Sequence, residues 1–258
     1  MKILILGAGK MGTFFADILS ASDYDVAIYD TNPDRLRFTY GVERFDRIDR
    51  IERFAPDLVI NAVTIRYTID AFRSILPVIP AHTILTDIAS VKTGLPEFYA
   101  ECNHPYASSH PMFGPTFANL SNLSSENAII ISEGDQRGRD FFRDLYSKLH
   151  LNIVDYTFVE HDLTIAYSLS IPFASTLVFA SVMQPQEAPG TTFKRHLDIA
   201  RGLMSEDDYL LQEILFNPNT PLQLQRIRTQ LATLQEIIER RDPAAMKSFI
   251  HSIRRNLT

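Results

Sequence analysis

His110 is the residue of this chain whose type and setting best suit proton chemistry. It stands in Ser108-Ser109-His110-Pro111-Met112-Phe113-Gly114-Pro115, between a polar pair and two prolines. Proline fixes φ at about −65° and removes a backbone donor, so a rigid loop is expected here rather than a helix. An imidazole held by such a loop can act as a general base. Pro and Gly also mark ordinary turns, in which the same histidine would simply face solvent. Further candidates lie in Asp87-Ile88-Ala89-Ser90-Val91-Lys92-Thr93-Gly94. Ser90 can hydrogen-bond a substrate hydroxyl or orient His110, and Lys92 can meet a carboxylate. The plainer alternatives are a helix-capping serine and an exposed lysine.

These residues need elements to hold them, and the N-terminal half supplies a pattern. Lys2-Ile3-Leu4-Ile5-Leu6 reads as a buried parallel strand. Gly7-Ala8-Gly9-Lys10-Met11-Gly12 follows at once, and Phe14, Phe15, Ile18 and Leu19 then form a helical stripe. This is G-x-G-x-x-G between a strand and a helix, the setting in which it binds a dinucleotide. The first glycine makes the turn, the second admits the pyrophosphate and the third lets the helix pack on the strand. Phosphates would sit at the helix N-terminus, by Lys10 and Met11. Asp30 ends a second strand, Asp25-Val26-Ala27-Ile28-Tyr29, where an acid bonds the ribose hydroxyls. A carboxylate there repels a 2′-phosphate and favours NAD over NADP, with Arg35 and Arg37 nearby to soften the preference. Asp30 can alternatively cap the helix beginning near Pro33.

Residues 40–54 are charged and irregular, and read as an exposed helix or loop. Strands are expected at 57–63, ended by Thr64 near the nicotinamide side of the cofactor, and at 83–87, with a helix from Thr68 to Leu76 between them. Alternation of this kind predicts an α/β, doubly wound parallel sheet of the Rossmann type. Open sheets of this class bind ligands at the carboxyl ends of their strands, the edge that Ser90 and Lys92 share.

Strand signals stop after about Tyr156. The expected organisation is a nucleotide-binding domain over 1–156 and an all-α domain over 157–258. Ile165 to Met183 is apolar almost all round, which predicts burial in a core or across a dimer, with a kink at Pro172. Phe193–Leu203, Leu222–Arg240 and Ala244–Arg255 read as further helices.

The net charge of −6 argues against nucleic acid or an anionic membrane as the main partner, but leaves room for a small anionic substrate in a local basic pocket. The single cysteine, Cys102, has no internal partner and reads as a buried thiol in a reducing, cytoplasmic setting. The N-terminus is expected to carry no signal peptide. No apolar run is expected to reach the roughly 20 residues of a membrane span.

Taken together, the glycine loop, Ala89-Ser90-Val91-Lys92 and His110-Pro111-Met112-Phe113-Gly114-Pro115 resemble the prephenate dehydrogenase family. Val159-Glu160-His161-Asp162 looks like that family's opening to its helical domain. The resemblance extends over nearly the whole chain and is weaker in the C-terminal third. It implies NAD-dependent oxidative decarboxylation of prephenate to 4-hydroxyphenylpyruvate in tyrosine biosynthesis, or the corresponding reaction of arogenate. His110 would accept a hydrogen bond from the ring hydroxyl, and Ser90 would support both. No metal is implied, and the helical half would form a homodimer and complete the active site. Prephenate carries two carboxylates, for which Lys194, Arg195 and Arg201 are candidates. Arg201 is favoured by its distance from the acidic segment ending at Tyr209, whereas counting from Phe193 puts Asp198 at the same place. Arg201 can instead be an ordinary surface arginine.

The chain departs from the family at Ser170, where many members carry a histidine two residues before the helix proline. His161 is expected only to help start its helix. Nothing resembles an appended regulatory or chorismate mutase segment, so a monofunctional enzyme is expected. Two rivals stay open. One is a 3-hydroxy-acid-type dehydrogenase using Lys194. The other is a non-catalytic NAD-sensing protein.

Overall fold

The structure is a computed structural model describing residues 1–114 and 122–257. Pro115, the end of the His110 motif, lies outside the described residues. The chain divides into two compact units, Met1–Asp162 and Leu163–Thr258.

The first unit runs β1 (Lys2–Leu6), α1 (Lys10–Ser20), β2 (Asp25–Tyr29), α2 (Pro33–Leu36), β3 (Glu43–Phe45), α3 (Ile48–Phe54), β4 (Leu58–Asn61), α4 (Thr68–Ile75), β5 (Ile84–Asp87), α5 (Leu95–Glu101), β6 (Tyr106–Pro111), β7 (Asn127–Ile131), α6 (Gln136–Lys148) and β8 (Asn152–Tyr156). The strands form one sheet in the order β3-β2-β1-β4-β5-β6-β7-β8. Every neighbouring pair is parallel except β6 and β7. The strand order reverses between β1 and β4, and the crevice of a doubly wound sheet opens at such a reversal.

Side chains alternate across a strand, and here both faces are covered. Ile3 and Ile5 join Phe15, Leu19, Phe142 and Tyr146 on one face, under α1 and α6. Leu4 and Leu6 join Phe54, Phe72 and Phe98 on the other, under α3, α4 and α5. The charged stretch 40–54 is therefore more ordered than its composition suggested. It forms the edge strand β3 and then α3, whose Ile51 and Phe54 reach the core while its charges stay outside. Cys102 is half-buried, against the second face.

The stretch holding His110 is a strand, not a loop. Ser108 is in register with Asp87 of β5, and His110 with Ile129 of β7. Pro111 is tolerated because it ends the strand, where a missing N–H costs little.

A helical run then starts at α7 (Phe158–Ile165), passes through a π turn (Ala166–Ser170) and continues as α8 (Ile171–Val182). The interruption expected at Pro172 takes this π form. Proline has no N–H for the carbonyl of Ser168, and a π turn is one way a helix absorbs such a break. Phe158–Val182 spans 25 residues and contains a stretch of mean hydropathy 1.6, long and apolar enough by length and composition to cross a membrane. This corrects the expectation that no such run exists, because the helical run begins at Phe158, seven residues before the expected Ile165.

The second unit adds α9 (Thr191–Leu203), α10 (Asp208–Leu215), α11 (Thr220–Arg240) and α12 (Pro243–Arg255). Ser170 donates to the Ile214 carbonyl at 2.9 Å and accepts from the Thr220 hydroxyl at 3.0 Å, tying the π turn to α10 and to the start of α11. Within α8 only Ala174 is buried, and Val178 and Val182 are exposed. The apolar composition of α8 therefore does not reflect burial inside this chain.

The packing of α1 on β1 leaves no room at Gly12, where an added Cβ would lie 1.8 Å from the Gly7 carbonyl oxygen. Gly12→Ala should cost about 1–3 kcal/mol or more, read as a lower urea midpoint, because backbone must move to admit the methyl. An unchanged midpoint would mean that α1 does not sit this close to the glycine loop.

Candidate active site

The glycine loop leaves β1 at Gly7, whose φ of +92° suits only glycine and whose N–H donates to the Tyr29 carbonyl at 2.8 Å. Gly9 caps α1 from an extended conformation, with no side-chain cap and no acid in the first turn. That N-terminus is fit to receive an anion. Beside Gly9 lies a cleft of about 770 Å³, lined by Ala8, Lys10, Thr13, Phe14, Asp17, Asp34, Arg35, Phe38 and Thr64 as well. Thr64 follows β4, so the cleft sits at the strand-order reversal. Met11 packs against the core, so what it offers a ligand is its backbone N–H.

Asp30 is buried at the end of β2. Its carboxylate accepts from the Ala8 N–H at 2.8 Å and from the Asn32 N–H at 2.8 Å. It thus ties the glycine loop to the β2 turn. The capping alternative fails, because Asn32 caps α2 by accepting from the Asp34 N–H. Each carboxylate oxygen has a second lone pair, so Asp30 can still accept from a sugar hydroxyl. Arg35 comes within 3.9 Å of Asp30 but is largely exposed, and such a pair contributes little.

His110 is buried near the carboxyl end of the sheet. Its Nδ1 lies 3.0 Å from Nε2 of His161, whose own Nδ1 lies 3.2 Å from Oδ1 of Asp162. The solvent-facing alternative for His110 is therefore excluded. Burial pushes the His110 imidazole well below its ordinary pKa, and the neighbouring His161 and Lys92 push the same way. Burial also lowers His161, against the raising effect of Asp162. Both shifts favour the neutral ring, the state an acceptor needs.

His161 is the residue that sequence reasoning undervalued. A signal for its placement was present: Thr157 and Glu160 form a capping box at the start of α7. The Thr157 N–H donates to the Glu160 carboxylate at 2.7 Å, and the Glu160 N–H donates to the Thr157 hydroxyl at 3.1 Å. The His161 N–H then donates to the Thr157 carbonyl at 2.9 Å, which fixes the first turn under its ring.

Lys92 requires a correction. It is neither exposed nor available to a substrate carboxylate. Its side chain is fully buried, and its ammonium donates to Asp87 at 2.6 Å and to the Ser109 carbonyl at 2.7 Å. Buried charges must be paired, and this one is spent on the scaffold next to His110. Ser90 is half-buried in the loop after β5. It does not cap α5, whose N-cap is Gly94. The ring that orients His110 is His161, not Ser90. In the second unit, Lys194, Arg195 and Arg201 are all exposed on α9. Arg201 and Asp198, the two rivals for one position, lie one turn apart and pair at 3.5 Å. Among the described residues no cluster of side chains could hold a metal ion.

A sequence model of the family described as prephenate dehydrogenase, nucleotide-binding domain, matches residues 19–150, which is 132 of the 258 residues. The chain belongs to the prephenate dehydrogenase family. The match starts beyond the glycine loop, so that loop rests on its own geometry. The T-protein of Haemophilus influenzae is 24% identical, over 98% of this chain and 66% of its own length, so this chain spans about two thirds of that relative. Two solved structures share the fold. Prephenate dehydrogenase from Aquifex aeolicus, in complex with hydroxyphenyl propionate and NAD+, superposes with a TM-score of 0.82 at 19% identity, covering 99% of this chain and 95% of that one. Synechocystis arogenate dehydrogenase gives 0.76 at 16% identity, covering 99% and 98%. The family assignment and these likenesses agree with the Rossmann-type sheet followed by a helical region.

The buried histidines make a prediction about pH. In the unfolded chain they titrate near the ordinary value of about 6.5, and in the folded chain below it. The unfolded state takes up protons first as the pH falls. Their contribution is therefore complete above about pH 6.5 and is lost progressively below it. Urea midpoints should fall from about pH 6.5 towards about pH 5, and less steeply in His110→Asn. A wild-type slope equal to that of His110→Asn would mean that the ring is hydrated and titrates normally.

Proposed function

We propose that this chain is an NAD-dependent dehydrogenase that converts prephenate to 4-hydroxyphenylpyruvate, CO2 and NADH in tyrosine biosynthesis. The observation that carries the reading is the buried, neutral His110 at the carboxyl edge of a sheet whose glycine loop suits a dinucleotide. It is supported by membership of the family and by the NAD+ named for the Aquifex aeolicus structure.

Bound NAD supplies the acceptor for the hydride that leaves the ring carbon bearing the hydroxyl. The Gly9 end of α1 holds the pyrophosphate, through backbone N–H groups that include those of Lys10 and Met11. Asp30 accepts from the adenosine ribose, and its negative charge disfavours a 2′-phosphate. Thr64 borders the nicotinamide end. His110 accepts the hydroxyl proton as that oxygen becomes a carbonyl, and Ser90 hydrogen-bonds the same hydroxyl. The C–COO− bond then breaks, CO2 departs and its electron pair makes the ring aromatic. The proton returns to the resulting phenolate oxygen, so the step balances. Arg201 takes a substrate carboxylate as a bidentate partner, in preference to Lys194 or Arg195.

The domain roles follow: residues 1–156 bind the nucleotide, and 157–258 serve substrate and dimer. A homodimer is supported by the apolar side chains that the second unit exposes, among them Val178, Val182, Ile199 and Leu231. Size-exclusion chromatography with light scattering should give twice the chain mass, and a monomer at micromolar concentration would refute the dimer. The apolar helix starts inside the first unit, where Phe158 joins the core and His161 is buried. This supports a helix anchored in the first unit over a membrane span, and the proposed biosynthetic role supports a cytoplasmic enzyme.

Purified protein with NAD should form NADH, read at 340 nm, on prephenate. His110→Asn should lose about 10²-fold or more of kcat while still binding NAD. Because burial lowers the His110 pKa, the acid limb of kcat/KM should fall below pH 6.5. Turnover on arogenate alone would keep the mechanism and move the substrate. NAD binding without turnover on either would overturn the proposal in favour of a sensor.

A further inference from the structure

We infer that Asp162 and His161 form a positioning pair that fixes the tautomer of His110 and leaves the Nε2 lone pair of His110 as its acceptor. This rests on the reading of His110 as the group that accepts the substrate hydroxyl. It adds two residues that do not themselves touch the reacting atoms.

The hydrogens along one line of contacts decide the tautomer. A carboxylate has only acceptors, so the Asp162 oxygen 3.2 Å from His161 Nδ1 requires the hydrogen of that ring to be on Nδ1. A neutral imidazole carries one N–H, so His161 Nε2 is then an acceptor. That atom faces His110 Nδ1 at 3.0 Å. Two lone pairs cannot share that distance favourably, so His110 must place its own single hydrogen on Nδ1. Its Nε2 is left bare. Without the carboxylate, the line could run the other way: His161 would donate from Nε2, His110 would accept at Nδ1, and its Nε2 would carry hydrogen. A hydrogen-bearing Nε2 cannot accept from a hydroxyl.

The surroundings favour the neutral, ordered line. Burial opposes protonation of either ring, and the positive charge of Lys92, itself fully buried against Asp87, pushes the same way. The backbone is equally constrained. The Lys92 ammonium holds the Ser109 carbonyl next to His110, and the capping box holds the turn that carries His161. The two rings cross at 60° with centroids 5.3 Å apart, so they meet by their nitrogens rather than by stacking. Asp162 is partly exposed, so replacing it need not disturb the core.

The test is the tautomer itself, read on the full chain with NAD present at about pH 7.5, where the rings are neutral. In protein labelled with ¹⁵N-histidine, long-range ¹H–¹⁵N correlation should show His110 with a protonated Nδ1 and a bare Nε2. In Asp162→Asn the amide can donate to His161 Nδ1, and a share of His110 should move to the Nε2–H form. With it, kcat on prephenate should fall about tenfold or more while KM changes little, and Asp162→Glu should recover most of the loss. Wild-type His110 in the Nε2–H form would overturn the inference, as would Asp162→Asn that leaves tautomer and kcat unchanged. If no substrate turns over, the functional reading fails by itself, and the ¹⁵N tautomers still decide the role of the pair.

Discussion

A buried ammonium without a carboxylate is among the most costly things a fold can contain, and this fold has been built around satisfying one. Lys92 and Asp87 are both fully buried and meet at 2.6 Å. Asp87 also accepts from the Tyr99 hydroxyl and from the Ala89 N–H, and Lys92 donates on to Ser109. One ion pair thereby ties the end of β5, the loop after it, α5 and β6 into a single arrangement. Such a pair is weak evidence for net stability, since desolvation offsets the attraction. Its consequence is geometric. The ammonium joins the loop after β5 to the Ser109 carbonyl of β6, the strand on which His110 lies.

The same constraint reaches into the chemistry. Burial first, and the positive charge of Lys92 after it, lower the pKa of the His110 and His161 imidazoles, which favours proton acceptance where a solvated histidine would be partly charged. The glycine loop answers a different constraint. Gly12 lies against the Gly7 carbonyl, and Asp30 ties Ala8 to the β2 turn. The N-terminus of α1 is therefore held by packing and by a carboxylate before any ligand arrives. Preorganisation of this kind lowers the cost of ordering a loop on binding.

Much of the fold was legible because its signals are local. The unbroken apolar run Ile3–Leu6 and the glycines after it specify a strand, a turn and a helix whatever lies elsewhere. Where tertiary contacts decide, local reading went astray. Pro111 suggested a loop, but β7 supplies a partner and makes a strand. Lys92 looked like a surface lysine or a ligand for a carboxylate, since an isolated lysine is nearly always solvated. Only the approach of Asp87 and the Ser109 carbonyl makes its burial tolerable. The apolar helix after Tyr156 read as buried in a core or across a dimer, and within the chain α8 buries only Ala174, which disfavours the first of these.

The sequence by itself determined the dinucleotide fingerprint, the alternation that yields a doubly wound sheet, and the presence of one histidine in a distinctive motif. Those depend on residue type and spacing of a few positions. What only the tertiary structure decided is the environment of that histidine. His110 and His161 are 51 positions apart, and no periodicity connects them. Their contact arises because a capped helix start and a strand end are carried to one place by the sheet. Burial and hydrogen bonding fix an imidazole's charge and tautomer, and both are properties of the assembled fold.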